Sequence, residues 1–246
     1  MTNRTACAAA LIGGWTAYLA LMMVHPTRLG GPALGHVSLN DAVHWTGLLA
    51  LPVLMYGYVE LGHALMQLGQ RQDLDSIRIG DLVRTAGVGR STFYAHFEDR
   101  DDFLGRSFCG MIDICDALAR REGLTGDILP VAHVTHHIAG NLAFARSAGR
   151  SRAMEVMLAA GEQRLRLIAG TNLDEALPRI PPEERRQVAA FLAGAFVGQL
   201  RLWMQNDLRT PPETLIAANR RLTAGVLDAL EAPPMPHLDR RPAHVP

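Results

Sequence analysis

Residues 78–97 read RIGDLVRTAGVGRSTFYAHF, and this stretch constrains the fold more than any other part of the chain. Its first half carries apolar residues at the spacing of one helical face, at Ile79, Leu82, Val83 and Ala86. Gly87 then permits the left-handed turn that ends a helix, and a second short helix is predicted over 89–97. Phe93 and Phe97 are one helical turn apart, so both are expected in a core. The pattern predicts a helix-turn-helix, in which the second helix enters the major groove of DNA.

Residues 77–104, IRIGDLVRTAGVGRSTFYAHFEDRDDFL, resemble the DNA-binding signature of TetR-type bacterial transcriptional regulators. The likeness is contiguous and keeps the internal spacing of the signature. It implies an all-α fold in which a three-helix DNA-binding domain precedes a helical domain for effector binding and dimerisation. It also implies that the helix predicted over 89–97 is the reading helix, the one that contacts bases.

Six residues of this segment are candidate DNA-binding residues: Arg90, Ser91, Thr92, Tyr94, His96 and Arg100. Arg90 and Thr92 stand near the amino end of the reading helix, where side chains reach base edges or phosphates. Tyr94 and His96 carry groups that can donate to phosphate oxygens. The resemblance implies that Arg100 replaces a lysine that contacts a phosphate.

The segment departs from the family pattern at two positions. Gly89 stands where a serine or threonine is usual, and Arg78 stands where a threonine usually caps the first helix of the pair. Ser76 or Asp75 could cap that helix from a shifted position, and the helix would lose up to ~1 kcal/mol of stability if neither does. Over 71–104, five arginines stand against seven acidic residues, so DNA binding is expected to rest on few phosphate contacts.

Two uncharged stretches, 6–24 and 43–59, precede this unit. As a helix, the first comes close to the ~30 Å hydrocarbon thickness of a bilayer. One interpretation is therefore a membrane hairpin that holds the helix-turn-helix at the inner face of the cytoplasmic membrane. The other is a pair of buried helices packed on a soluble core. An internal start at Met55 is a further interpretation, because it would leave a regulator without membrane segments.

Downstream, five helices are predicted, over 106–122, 130–147, 152–169, 181–207 and 211–230. The last two begin with prolines followed by an acid, which is typical of helix starts. The resemblance implies that these two form a four-helix interface with a second copy of the chain. Small residues that would allow close approach there are Ala189, Ala193, Gly194 and Gly198. The earlier helices are expected to enclose a pocket for a small-molecule effector.

The candidate effector-pocket residues are His133, His137, Phe144, Met154, Met157 and Trp203. Apolar stripes of this kind also occur in ordinary cores, and that alternative stays open. His133 and His137 are one helical turn apart, as in some metal sites, but no acidic or cysteine ligand accompanies them. No metal is therefore expected. Three cysteines, Cys7, Cys109 and Cys115, lack a metal-type spacing and are expected to be neutral thiols.

The chain has a formal net charge of zero, so a DNA partner would have to be held by a local patch. Sequence signatures of hydrolases, zinc proteases, P-loop proteins and dinucleotide-binding enzymes are missing, so neither an enzyme nor a cofactor is expected. The predicted domains are a hydrophobic hairpin over 1–58, the helix-turn-helix domain over 59–105, the effector and dimerisation domain over 106–231, and a disordered proline-rich tail over 232–246.

These observations predict a cytoplasmic, homodimeric regulator that binds a double-stranded DNA operator. Repression is expected, with release from the operator when a small-molecule effector binds. The alternative is a membrane-anchored helical interaction protein, associated with the bilayer through 6–24 and 43–59, whose helix-turn-helix no longer binds DNA.

Overall fold

The structure, a computed structural model, describes residues 57–123 and 127–231. Within these ranges it contains nine α-helices, one short 3₁₀ turn and no strand, which confirms the predicted all-α fold. The uncharged stretch 6–24, most of 43–59 and the tail 232–246 lie outside the described residues, and so does the predicted membrane hairpin. Among the described helices, none combines the length and apolar character that crossing a bilayer requires.

The first three helices among the described residues form the helix-turn-helix unit. Helix α1 covers 57–69, α2 runs over Ile79–Ala86, and the reading helix α3 runs over Arg90–His96. A 3₁₀ turn at Leu74–Ser76 lies between α1 and α2. Gly87 ends α2 with a φ of +68°, the left-handed conformation that the sequence predicts there.

Six further helices follow, and their bounds are α4 Arg100–Arg121, α5 Val131–Ala139, α6 Leu142–Gly149, α7 Ala153–Ala176, α8 Pro182–Gln205 and α9 Pro212–Glu231. The predicted proline–acid openings do begin α8 and α9. Helix α4 starts at Arg100 and not at 106, because the carboxylate of Asp99 accepts the N–H of Asp102 at 2.8 Å and caps it.

An aromatic core holds the helix-turn-helix unit together. Phe93 and Phe97 are buried, as the sequence predicts. Phe103 from α4 packs against both, with ring centroids 5.7 and 4.9 Å away. A helix as short as α3 is not stable alone in water, so these rings determine its position. They thereby determine which side chains of α3 point outward.

The prediction of one helix over 130–147 is wrong, because the chain divides there into α5 and α6. Gly140 and Asn141 separate the two helices, and the Asn141 side-chain amide donates to the carbonyl of His137 at 2.8 Å. The division lets α6 bring Phe144 against α1. A Cβ atom on Gly69 would lie 2.7 Å from the Phe144 ring, so only glycine permits this approach.

Helices α4, α7 and α8 form the centre of the larger domain, with α7 packed against the other two. Gly161 of α7 lies against the ring of Phe108 in α4, where a Cβ atom would come within 2.5 Å. Arg201 of α8 pairs with Glu155 of α7 at 2.8 Å, and this contact lowers the pKa of the Glu155 carboxyl. Helices α5 and α6 connect this centre to α1 and α9.

Candidate functional site

Neither residue that was expected to cap α2 does so. The carboxylate of Asp81 accepts the N–H of Arg78 at 3.2 Å and closes the first turn from inside the helix. Ser76 donates to the carbonyl of Asp73 at 2.6 Å, and Asp75 accepts N–H groups of α7. The cap by Ser76 or Asp75 that the sequence allows therefore does not form, because Ser76 bonds within the 3₁₀ turn and Asp75 bonds to the start of α7.

The outward face of the reading helix carries Arg90, Ser91 and Tyr94. Tyr94 is 57% exposed, although its neighbour Phe93 is 0% exposed. Arg90 extends beside Gly80 of α2, where its guanidinium lies 3.4 Å from a Cβ built on that glycine. These three of the six candidate DNA-binding residues are therefore accessible to a nucleic acid, and their groups can donate to phosphates or base edges.

Thr92 and His96 lie on the side of α3 that faces Gly57 of α1. A Cβ atom on Gly57 would lie 2.8 Å from the Thr92 methyl and 4.0 Å from Nε2 of His96. That Nε2 atom is buried and has no hydrogen-bond partner among the described residues. Both side chains thus support α1, and their contacts to DNA stay predictions.

Arg100 is held within the protein. Its guanidinium donates to the carbonyl of Leu74 at 2.5 Å and lies 3.8 Å from the Asp75 carboxylate. The side chain is 26% exposed. This arrangement favours a structural role over the phosphate contact that the resemblance implies.

Arg106, which the sequence analysis did not select, holds the end of the reading helix. Its guanidinium donates to the carbonyl of His96 at 2.5 Å and lies 5.2 Å from the centre of the Phe97 ring. From the sequence, the four-residue spacing indicates only that Arg106 can pair with Asp102. In the structure, the guanidinium of Arg106 does lie 3.7 Å from the Asp102 carboxylate. That spacing does not reveal that the arginine reaches across to α3.

A cavity of about 350 Å³, called here the α1 cavity, lies between α1 and α4. Three of the six candidate pocket residues line it, namely His137, Phe144 and Met157. The α1 wall, which the sequence analysis missed, consists of Tyr58, Val59, Gly62, His63, Leu65 and Met66. Burial raises the pKa of Tyr58 and lowers the pKa of His137, so both side chains favour their neutral forms.

The other three candidate pocket residues lie elsewhere. His133 contacts Glu122 at 3.1 Å, and Trp203 donates from Nε1 to the carbonyl of Thr210 at 2.8 Å. Met154 is buried in the core of the larger domain. In the part of the chain that the structure describes, no group of three or more His, Cys, Asp or Glu side chains could hold a metal ion.

Helices α8 and α9 each expose small and apolar residues, called here the α8/α9 residues. On α8 they are Phe191, Ala195, Gly198 and Leu202, and on α9 they are Leu222 and Gly225. Phe191, Leu202 and Leu222 are 60%, 61% and 64% exposed. Ala189 and Ala193 are instead buried within the protomer, so their predicted place in a subunit interface is wrong.

The described residues form a short exposed helix on an aromatic three-helix unit, followed by six helices, and this fold is similar to that of a solved TetR transcriptional regulator. A TetR transcriptional regulator from Rhodococcus sp. RHA1 is 17% identical, with 72% of this chain and 99% of that chain covered and a TM-score of 0.50. The TetR family repressor AlkX from Dietzia sp. strain DQ12-45-1b is 18% identical, with 70% and 94% covered and a TM-score of 0.49. No family model matches this chain, and no curated protein does. The resemblance seen in the sequence is confirmed at the level of the fold.

Proposed function

We propose that this protein is a DNA-binding transcriptional regulator of the TetR type, acting as a homodimeric repressor and not as an enzyme. The observation that carries the proposal is the exposure of Arg90, Ser91 and Tyr94 on a short helix that Phe93 and Phe97 anchor from behind. A helix held in this way presents its polar face at one orientation, which is what reading a groove requires.

The α8/α9 residues support the homodimer. Phe191, Leu202 and Leu222 expose large apolar side chains on these two helices, and the exposed Gly198 allows a second helix to approach closely. A twofold dimer would place two reading helices in successive major grooves, about 34 Å apart, so the operator is expected to be an inverted repeat. A small-molecule effector would release the operator by favouring a different spacing of the two helices.

Selection of DNA from a random double-stranded library by the full-length protein tests this function. We expect an inverted-repeat sequence to be enriched. Arg90→Ala should then weaken binding to it by about tenfold or more, within the roughly 1–3 kcal/mol of a base or phosphate contact. Arg84→Ala is the matched control, because Arg84 is an exposed arginine of α2 that pairs with Asp81. Selection of no sequence, or equal binding by both variants, would contradict the proposal.

A membrane-anchored interaction protein is the second candidate. It is favoured by the excess of seven acids over five arginines in 71–104 and by the uncharged stretches that precede the helix-turn-helix. The deletion of residues 1–54 separates the two candidates. A regulator should retain sequence-specific DNA binding and dimerisation after the deletion, whereas an anchored protein should lose membrane association and bind no DNA in either form.

A further inference from the structure

Helix α1 contacts the reading helix and also lines the α1 cavity. Its first described residue, Gly57, packs against Thr92 and His96 of the reading helix. The next residues, from Tyr58 to Met66, line the α1 cavity. A single rigid helix therefore forms both the support of α3 and one wall of the cavity.

The lining of the α1 cavity is almost entirely apolar. From α4 it includes Phe108, Met111 and Ile114, and from α6 it includes Phe144. No arginine, lysine, aspartate or glutamate occurs among the described residues that line it. A charged ligand would lose its hydration there without gaining a partner of opposite charge. Asn141, Ser107 and His137 offer hydrogen bonds to a single polar group.

Two hydrogen bonds connect this cavity to the reading helix. The hydroxyl of Tyr58, a lining residue, donates to the carbonyl of Arg106 at 3.0 Å. The guanidinium of Arg106 in turn donates to the carbonyl of His96, the last residue of α3, at 2.5 Å. Displacement of the Tyr58 ring by a ligand would therefore move a group that holds the end of α3.

We propose that the α1 cavity binds an uncharged, predominantly apolar small molecule, and that α1 and Tyr58 transmit its binding to the reading helix. The ligand class follows from the lining alone. The effect on DNA rests on the proposed function, so the two parts are tested by separate measurements.

The ligand class is tested with two fluorescent dyes that share one ring system, uncharged N-phenylnaphthylamine and its sulfonated analogue anilinonaphthalene sulfonate. We expect the uncharged dye to bind full-length protein at least tenfold more tightly. Gly62→Leu should abolish that binding, because a Cβ atom on Gly62 meets nothing within 4 Å and the new side chain would occupy the cavity. Gly170→Leu is the matched control, since this glycine of α7 also has open space and lies away from the cavity.

A second variant keeps the test decisive if Gly62→Leu does not fold. Ile114 lines the cavity and is 64% exposed, so Ile114→Arg can add a positive charge at the cavity rim. We expect this variant to bind the sulfonated dye at least tenfold more tightly than the unmodified protein does. Equal binding of the two dyes to unmodified protein, or undiminished binding by a folded Gly62→Leu variant, would overturn the ligand class.

Transmission is tested with Tyr58→Phe, which keeps the ring in the cavity wall and removes the hydrogen bond to Arg106. With DNA selected in the absence of dye, the uncharged dye should lower the DNA affinity of the unmodified protein at least fivefold. At dye concentrations that saturate each protein, Tyr58→Phe should show less than half of the dye-induced change in DNA-binding free energy that the unmodified protein shows. Dye binding without any effect on the DNA complex would overturn the transmission. Failure to select DNA without dye would instead count against the proposed function, and the dye measurements would still decide the ligand class.

Discussion

The carboxylate of Asp75 accepts the backbone N–H of Arg152 at 2.9 Å, and its other oxygen accepts the N–H of Ala153 at 3.3 Å. These N–H groups begin α7, so an acid of the helix-turn-helix unit caps a helix of the larger domain. Arg100 lies 3.8 Å from the same carboxylate. Because α7 also carries Met157 to the α1 cavity, the two domains meet at a helix that forms part of the cavity wall.

Removal of this cap should destabilise the protein. Asp75→Ala leaves two N–H groups at the start of α7 without their acceptor, and we expect the free energy of unfolding to fall by about 1 kcal/mol, within the usual range for a lost cap. Asp75→Asn should lose less, because its amide oxygen still accepts. Asp101→Ala is the control, since it removes a nearby acid whose side chain is 62% exposed. Urea unfolding measures all three, and equal losses for Asp75→Ala and Asp101→Ala would argue against the cap.

Substitution of Arg100 should lower stability, because its guanidinium satisfies the carbonyl of Leu74 in a partly buried position. We expect Arg100→Ala to reduce the free energy of unfolding by about 1.5–3 kcal/mol, as for a charge-assisted hydrogen bond. The exposed Arg84 provides the control, and Arg84→Ala should change stability by no more than about 0.5 kcal/mol. A stable Arg100→Ala variant that binds DNA weakly would show instead that the phosphate contact is its main role.

A single charge among the exposed apolar residues of α8 and α9 should weaken dimerisation. In a twofold dimer, Leu202→Glu places two carboxylates at or near one interface, and we expect dimerisation to weaken at least tenfold. Leu167→Glu is the matched control, because Leu167 of α7 is 62% exposed, nearly the same as Leu202 at 61%, and is not one of the α8/α9 residues. Sedimentation equilibrium distinguishes the two. A Leu202→Glu variant that stays dimeric as firmly as Leu167→Glu would exclude the α8/α9 residues from the interface.

The two cysteines of α4 should react slowly with thiol reagents. Burial raises the pKa of the Cys115 thiol to about 11, and burial with the nearby Asp113 raises the pKa of Cys109. The reactive thiolate of Cys115 is therefore scarce at pH 8. In a Cys109→Ser variant, we expect peptide mass spectrometry to show Cys115 unmodified by iodoacetamide in the folded protein and modified in urea. Rapid modification without denaturant would indicate that α4 opens locally.

Local features of the fold were predictable from the sequence. The left-handed turn at Gly87, the inward rings of Phe93 and Phe97, and the starts of α8 and α9 all follow from residue spacing and turn chemistry within a few positions of the chain. The division between α5 and α6 was missed, although Gly140 and Asn141 are ordinary helix-breaking residues. Apolar residues keep their helical spacing across the break, and this spacing led to the prediction of a single helix.

The sequence by itself determined the helix-turn-helix, because its periodicity, its turn glycine and its aromatic pair act over short distances along the chain. Only the tertiary structure decided the partners of Asp75, Arg100 and Arg106, since each reaches another element whose place depends on the packing of the whole domain. For the same reason, the α1 cavity could not be predicted from the sequence. The apolar residues of α1 have the spacing of a core helix, and nothing in that spacing shows that α4 and α6 leave space beside them.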